Sequence, residues 1–196
     1  GTASDVYNIT VTVTDDDTGS GTGTTVVTVN NVVPVVEAGV NQTVNEGDVV
    51  SLAPATFSDK GTLDTHTATI DWGDGITTEG VVAEGLDGPP GGSPIQGTVS
   101  GSHVYADDGV YTVTVTVTDD DGGATWDTLA MIVNNVAPTV DAGADQTANE
   151  GDVVSLAPAT FNDKGTLDTH TATITWGDGT AVDVGVVGES PFGPPG

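Results

Sequence analysis

The chain has 196 residues, 29 acidic side chains against two basic ones, a formal net charge of −27 and no cysteine. That length suits about one to two domains, and no disulfide framework holds them. So acidic a surface repels nucleic acid and anionic membranes and attracts cations, and no apolar run approaches the ~20 residues that cross a membrane as a helix.

The chain repeats itself. Asn31 returns as Asn135, Phe57 as Phe161 and His66 as His170, a constant spacing of 104 residues. The run from Glu46 to Phe57 returns unchanged as Glu150 to Phe161, and Lys60 to His66 returns as Lys164 to His170. Beyond Gly179 the spacing becomes 105, so that Gly88-Pro89-Pro90-Gly91 returns as Gly193 to Gly196. Self-similarity at a fixed period marks a repeat architecture. It divides the chain into the C-terminal part of one repeat (1–31), a complete repeat (32–135) and the N-terminal part of a third (136–196).

Within the complete repeat the pattern predicts seven or eight strands, at about 34–38, 49–53, 65–72, 77–83, 98–105, 110–118 and 125–133. Turns fall at 45–48, 73–75 and 121–123, where Gly and Asp tolerate the required dihedrals. Residues 85–97, rich in Gly and Pro, read as an inserted loop. The clearest strand is 110–118: Tyr111, Val113, Val115 and Val117 share one face and Thr112, Thr114, Thr116 and Thr118 the other. A period of two with β-branched residues is a half-buried strand. Its recurrence argues against the disorder that a high net charge would otherwise favour. Short strands between regular turn signals predict an all-β sandwich.

The same stretch carries a family resemblance. His103-Val104-Tyr105, followed by Gly109-Val110-Tyr111 and the Val/Thr run to Asp119, resembles the signature of the PKD (polycystic kidney disease) repeat. The family's other motif, a Trp-Gly-Asp-Gly turn, stands at Trp72-Gly73-Asp74-Gly75 and again at Trp176-Gly177-Asp178-Gly179. The resemblance implies tandem Ig-like (PKD-type) β-sandwiches, usually extracellular and in a bacterial-type array. Asp107-x-Gly109-x-Tyr111 is similar to the tyrosine corner of Ig-like folds. Fold alone does not supply a function.

In an Ig-like sandwich the entering linker and two loops converge at one end. Here they would bring together Asn31, Asp59, Asp64, Asp119 and Asp121, and in the next copy Asn135, Asp163 and Asp168. Carboxylate and amide oxygens at that density suit Ca²⁺, which takes six to eight hard oxygen ligands in flexible geometry. Some PKD-like domains bind calcium at this end, so the resemblance points the same way. The bland alternative is a solvated acidic loop with Lys60 as local counter-ion. The opposite end would carry Glu46, Asp48, Asp74, Asp107 and Asp108 and face the acidic end of the next domain. Two such ends repel unless an ion bridges them, so calcium is expected to stiffen the joints.

Catalysis is not expected. No nucleophile–base pair or metalloprotease motif is visible, and Asp71 and Asp74 flank an exposed turn without the burial that separates carboxylate pKa values. His103 reads as structural. Trp72, Trp126 and Trp176 read as core or packing residues rather than a sugar platform. Asn8 and Asn41 open N-glycosylation sequons that do not recur in the sister copies.

The first and last segments are complementary parts of a sandwich. Either they belong to a longer covalent array, the preferred reading, or each chain lends its first strands to its neighbour's last domain in a head-to-tail polymer. The function these features predict is structural: an extracellular, cell-surface fibre, stalk or adhesin shaft whose partners are neighbouring repeats or copies of itself. The alternative is a polysaccharide- or protein-binding module of a secreted enzyme or adhesin.

Overall fold

The computed structural model describes residues 4–85, 88–89 and 91–189, which contain strands and no helix. No helix is therefore long and apolar enough to cross a membrane. The second Gly-Pro-Pro-Gly copy, at 193–196, lies outside the described residues, as do positions 86, 87 and 90 of the expected insertion.

The chain begins with an antiparallel hairpin, β1 (Ser4–Thr14) and β2 (Ser20–Asn30), in register from Ser4↔Asn30 to Thr14↔Ser20. Asp15 closes its turn: its amide donates to the Gly19 carbonyl, and its Oδ1 accepts from the Gly19 N–H at 2.7 Å. The complete repeat follows as β3 (Val35–Glu37), β4 (Gln42–Asn45), β5 (Val49–Ser51), β6 (Ala55–Asp59), β7 (His66–Asp71), β8 (Thr77–Glu84), β9 (Ile95–Ser100), β10 (Ser102–Val104), β11 (Gly109–Asp119) and β12 (Ala124–Asn134). Their sheet order is β3-β6-β9-β8-β7-β11-β12-β4, with β5 paired to β10 separately.

The backbone clusters into two compact units. The first takes in Gly1–Asn41, Ser51–Gly101 and Thr112–Ala130. Its strands bury alternate residues: Ala55, Phe57 and Asp59 on β6, His66, Ala68 and Ile70 on β7, and Val113, Val115 and Val117 on β11. Trp72 closes this core with its indole N–H donating to Thr78 Oγ1 at 2.9 Å. One-face burial along successive antiparallel strands is the pattern of an Ig-like β-sandwich. The first, second, third, fourth, sixth and seventh expected strands appear close to their predicted bounds.

The differences are local. The described residues of the repeat form ten strands, not seven or eight. Strands β4 and β6 were not expected, because Gln42-Thr43-Val44-Asn45 is short and polar and Ala55 follows a proline. The strand expected at 98–105 is two strands, β9 and β10, broken at Gly101, where a Cβ would meet Ile70 Cδ1 at 2.6 Å. The expected loop at 85–97 ends early, since Ile95 to Gly97 already belong to β9 and pair with β6. Gly97 carries no side chain because the Phe57 ring occupies that space.

The second unit takes in Gln42–Val50, Ser102–Tyr111 and Met131–Gly196. Here the end of β12 pairs in parallel with β4, Met131↔Gln42 to Asn134↔Asn45. The tyrosine corner is present: Tyr111 donates its hydroxyl to the Asp107 carbonyl at 3.0 Å and stacks on Tyr105. His103 lies edge-on to Tyr105, a packing role as expected. Beyond β12 come two short antiparallel pairs, β13 (Thr139–Asp141) with β14 (Thr160–Asn162) and β15 (Ala172–Ile174) with β16 (Asp183–Gly185). They match β3 with β6 and β7 with β8 of the complete repeat.

Candidate cation sites

The first carboxylate cluster lies in the first unit. Asp59 ends β6, Asp64 sits in the loop before β7, and Asp119 ends β11. One carboxylate oxygen from each lies within 4.8 Å of the others. The sheet itself does this, because β11 pairs with β7 so that Asp119 stands opposite His66, seven residues beyond Asp59. Asn31 joins them by donating its Nδ2 to Asp119 Oδ2 at 2.8 Å. The other Asp119 oxygen accepts the Gly123 N–H at 2.7 Å and so closes the β11–β12 turn. Asp59 Oδ1 accepts the Gly61 N–H at 2.8 Å. Gly61 leaves room for the Asp64 carboxylate, which would overlap any Cβ there.

Asp59 and Asp119 are buried. Burial pushes the Asp64 carboxyl above its ordinary range, and the charges of Asp59, Asp121, Asp120 and Asp119 push it further. Like charges so placed resist ionising together unless a cation joins them. Five of the expected residues, Asn31, Asp59, Asp64, Asp119 and Asp121, therefore share one neighbourhood.

Histidine was not expected there. The buried His66 ring places Nε2 3.2 Å from Asp59 Oδ2 and Nδ1 2.8 Å from Glu84 Oε1, and it packs on Phe57. His170 repeats the arrangement with Asp163 at 2.9 Å and Glu189 at 2.9 Å. Its pKa is raised, first by the bond to Asp163, while the Asp163 carboxyl is lowered, first by the bond to His170. The unchanged return of Asp59, His66 and Glu84 as Asp163, His170 and Glu189 was the signal for this clamp. It fixes the orientation of one cluster carboxylate in each copy.

The second cluster lies in the second unit. Asp163 and Asp168 come together as expected, but the third oxygen within 4.8 Å belongs to Glu46. Glu46 also groups with Asp107 and Asp108 under the same limit. Asn135 is exposed and precedes Val136, whose N–H donates to Glu46 Oε1 at 2.6 Å. Burial raises the Asp168 carboxyl, followed by the charges of Asp163 and Asp107.

The remaining candidates are placed as follows. Asn8 is exposed on β1; Asn41 is exposed and accepts the Ala130 N–H through Oδ1 at 2.9 Å. Asp71 and Asp74 cap their own turn, accepting from Gly73 and Ile76 at 3.0 Å each. Trp72 is core, but Trp126 is 67% exposed and Trp176 40% exposed, contrary to the packing role expected of them. Trp126 points away because its strand, β12, buries the other set of alternating positions, including Leu129 and Met131.

No curated protein matches this sequence. Among solved structures, it is similar to the PKD domain of an M14-like peptidase from a Thermoplasmatales archaeon, at 26% identity and a TM-score of 0.34, covering 52% of this chain and 92% of that one. The family model of the PKD domain matches residues 91–133, which run from the end of the inserted loop through β9 to β12. The resemblance read from His103-Val104-Tyr105 and the Val/Thr strand falls within the residues that the PKD-domain model matches.

Proposed function

We propose that this chain is a structural, extracellular tandem-repeat protein, a fibre, stalk or adhesin shaft, whose PKD-type sandwiches are stiffened by calcium. The observation that carries this reading is the grouping of Asp59, Asp64 and Asp119, two of them buried, with Asn31 bonded to one of them. The residues come from a linker, the ends of β6 and β11 and the loop before β7, so one ion held by them fastens the start of the repeat to its far strands. The unchanged recurrence of the loop as Asp163 to Asp168 supports the same use in every copy. PKD domains typically belong to extracellular or secreted proteins, where millimolar calcium is available to modest-affinity sites.

Thermal unfolding in calcium and in chelator, at fixed ionic strength, tests this. A ligand that binds only the folded state stabilises it by about 2.7 kcal/mol at a hundredfold excess over Kd. A rise of several degrees is expected, reduced in Asp119→Asn. An unchanged transition would reduce the cluster to a solvating surface.

A second reading, an accessory module that binds polysaccharide or protein, draws on the exposed Trp126. Glycan-array binding abolished by Trp126→Ala would favour it.

A further inference from the structure

Glu46 is an anomaly in so acidic a protein. It is 0% exposed, Oε1 accepts from Val136, and Oε2 has no hydrogen-bond partner among the described residues. A buried carboxylate with a free oxygen is costly by several kcal/mol unless it is protonated, paired or bound to a metal. Burial pushes its carboxyl up, and Asp168, Asp108 and Asp163 add to that. Among the described residues no cation is bonded to its free oxygen, and Lys164, one of only two basic side chains in the chain, is bonded to Asp48.

We propose that Glu46 is the shared ligand of a divalent-cation site, best suited to Ca²⁺, that draws Glu46, Asp107 and Asp108 from the complete repeat and Asp163 and Asp168 from the following one. In each triad one oxygen from every carboxylate lies within 4.8 Å of the others, and Glu46 belongs to both. Five carboxylates from three separate turns give hard, oxygen-only and adaptable coordination, which favours Ca²⁺ over the stricter octahedron of Mg²⁺. The backbone already brings the turns together. The Leu167 N–H donates to the Ala106 carbonyl at 3.2 Å, and Glu46 N–H donates to Asn134 at 3.0 Å. Asp163 is oriented by His170. An ion here ties two repeats directly, whereas the Asp59–Asp64–Asp119 site ties parts of one. The ligand set stands on its own geometry; only its consequence, a stiff joint, rests on the tandem-repeat reading above.

The test is calorimetric titration of calcium into the 196-residue chain, its Glu46→Gln and Asp108→Asn variants, and Asp119→Asn. Glu46→Gln and Asp108→Asn are expected each to lose one bound ion, or to weaken it by about tenfold or more, while keeping the ion that Asp119→Asn removes. Calcium is also expected to slow amide exchange at Val136 and Leu167 in the wild type but not in Glu46→Gln. Both substitutions are close to isosteric, and removing a buried charge is expected to raise the unfolding temperature of Glu46→Gln in chelator, so misfolding does not mimic the result. Wild-type titration by both variants, or a wild type whose single ion is lost in Asp119→Asn alone, overturns the proposal and leaves the first site standing. A single ion lost in Glu46→Gln and kept in Asp119→Asn supports the joint site and refutes the first.

Discussion

Gly47 lies against Lys164 so closely that a methyl group on it would stand 2.8 Å from both the lysine Cβ and its carbonyl oxygen. Its φ of 69° is also one that only glycine adopts without strain. Position 47 is thus a backbone contact between a turn of the complete repeat and a loop of the following one. Gly47→Ala is expected to part them and to destabilise the fold by about 1–3 kcal/mol. Loss of exchange protection at Leu167, with β11 unaffected, would confirm that the damage is local.

The two acidic turns, Asp15 to Gly19 and Asp119 to Gly123, are built alike but with one difference. Gly122 has φ 85°, while its counterpart Thr18 is held at φ 72°. A side chain in this left-handed region costs about 1–2 kcal/mol. Thr18→Gly is therefore expected to slow the local opening of the β1–β2 hairpin, and Gly122→Thr to destabilise the complete repeat by a similar amount. Amide exchange along β1 and urea unfolding read the two effects.

Asp127 binds the Ala38 N–H at 2.8 Å, fastening the end of β3 to β12. The Ala38 bond, then that to Thr128, lowers its pKa in the folded state. The sign follows: its stabilisation is present above the unfolded aspartate value, about 3.9, and is lost as pH falls through the lower folded value. Asp127→Ala is expected to cost about 1 kcal/mol at neutral pH. That difference should narrow toward zero on acidification, as urea titrations at stepped pH would reveal.

Gly97 faces the Phe57 ring with no room for a methyl group. Gly97→Ala is expected to displace the ring and cost about 1–3 kcal/mol through overpacking. The His66 clamp rests on the same ring, 4.7 Å away, so calcium affinity of the first site should fall with it. Unchanged calcium titration in a destabilised Gly97→Ala protein would show that the clamp does not position Asp59.

Much of this was readable from the chain. Val/Thr alternation fixed which face of β11 is buried, since a period of two leaves no choice once one face must leave water. The Asp107-x-Gly109-x-Tyr111 resemblance to a tyrosine corner matched the hydroxyl bond back to Asp107, and the resemblance to an Ig-like sandwich foretold that Asp59 and Asp64 would group with Asp119. Strands β4 and β6 were not legible, because β4 forms by pairing with β12 and β6 by pairing with β3 and β9, which their own residues do not encode.

Glu46 separates the two kinds of information most clearly. The run from Glu46 to Phe57 is the same as that from Glu150 to Phe161. In the complete repeat Glu46 is buried and stands with Asp163 and Asp168, residues far from it in the chain that no local pattern brings to it. The sequence alone determined the acidic turns, the strand period and the repeat. Only the tertiary structure decided that Glu46 meets Asp163 and Asp168. The physical reason is that burial and pairing are properties of what packs against a residue, not of the string it belongs to.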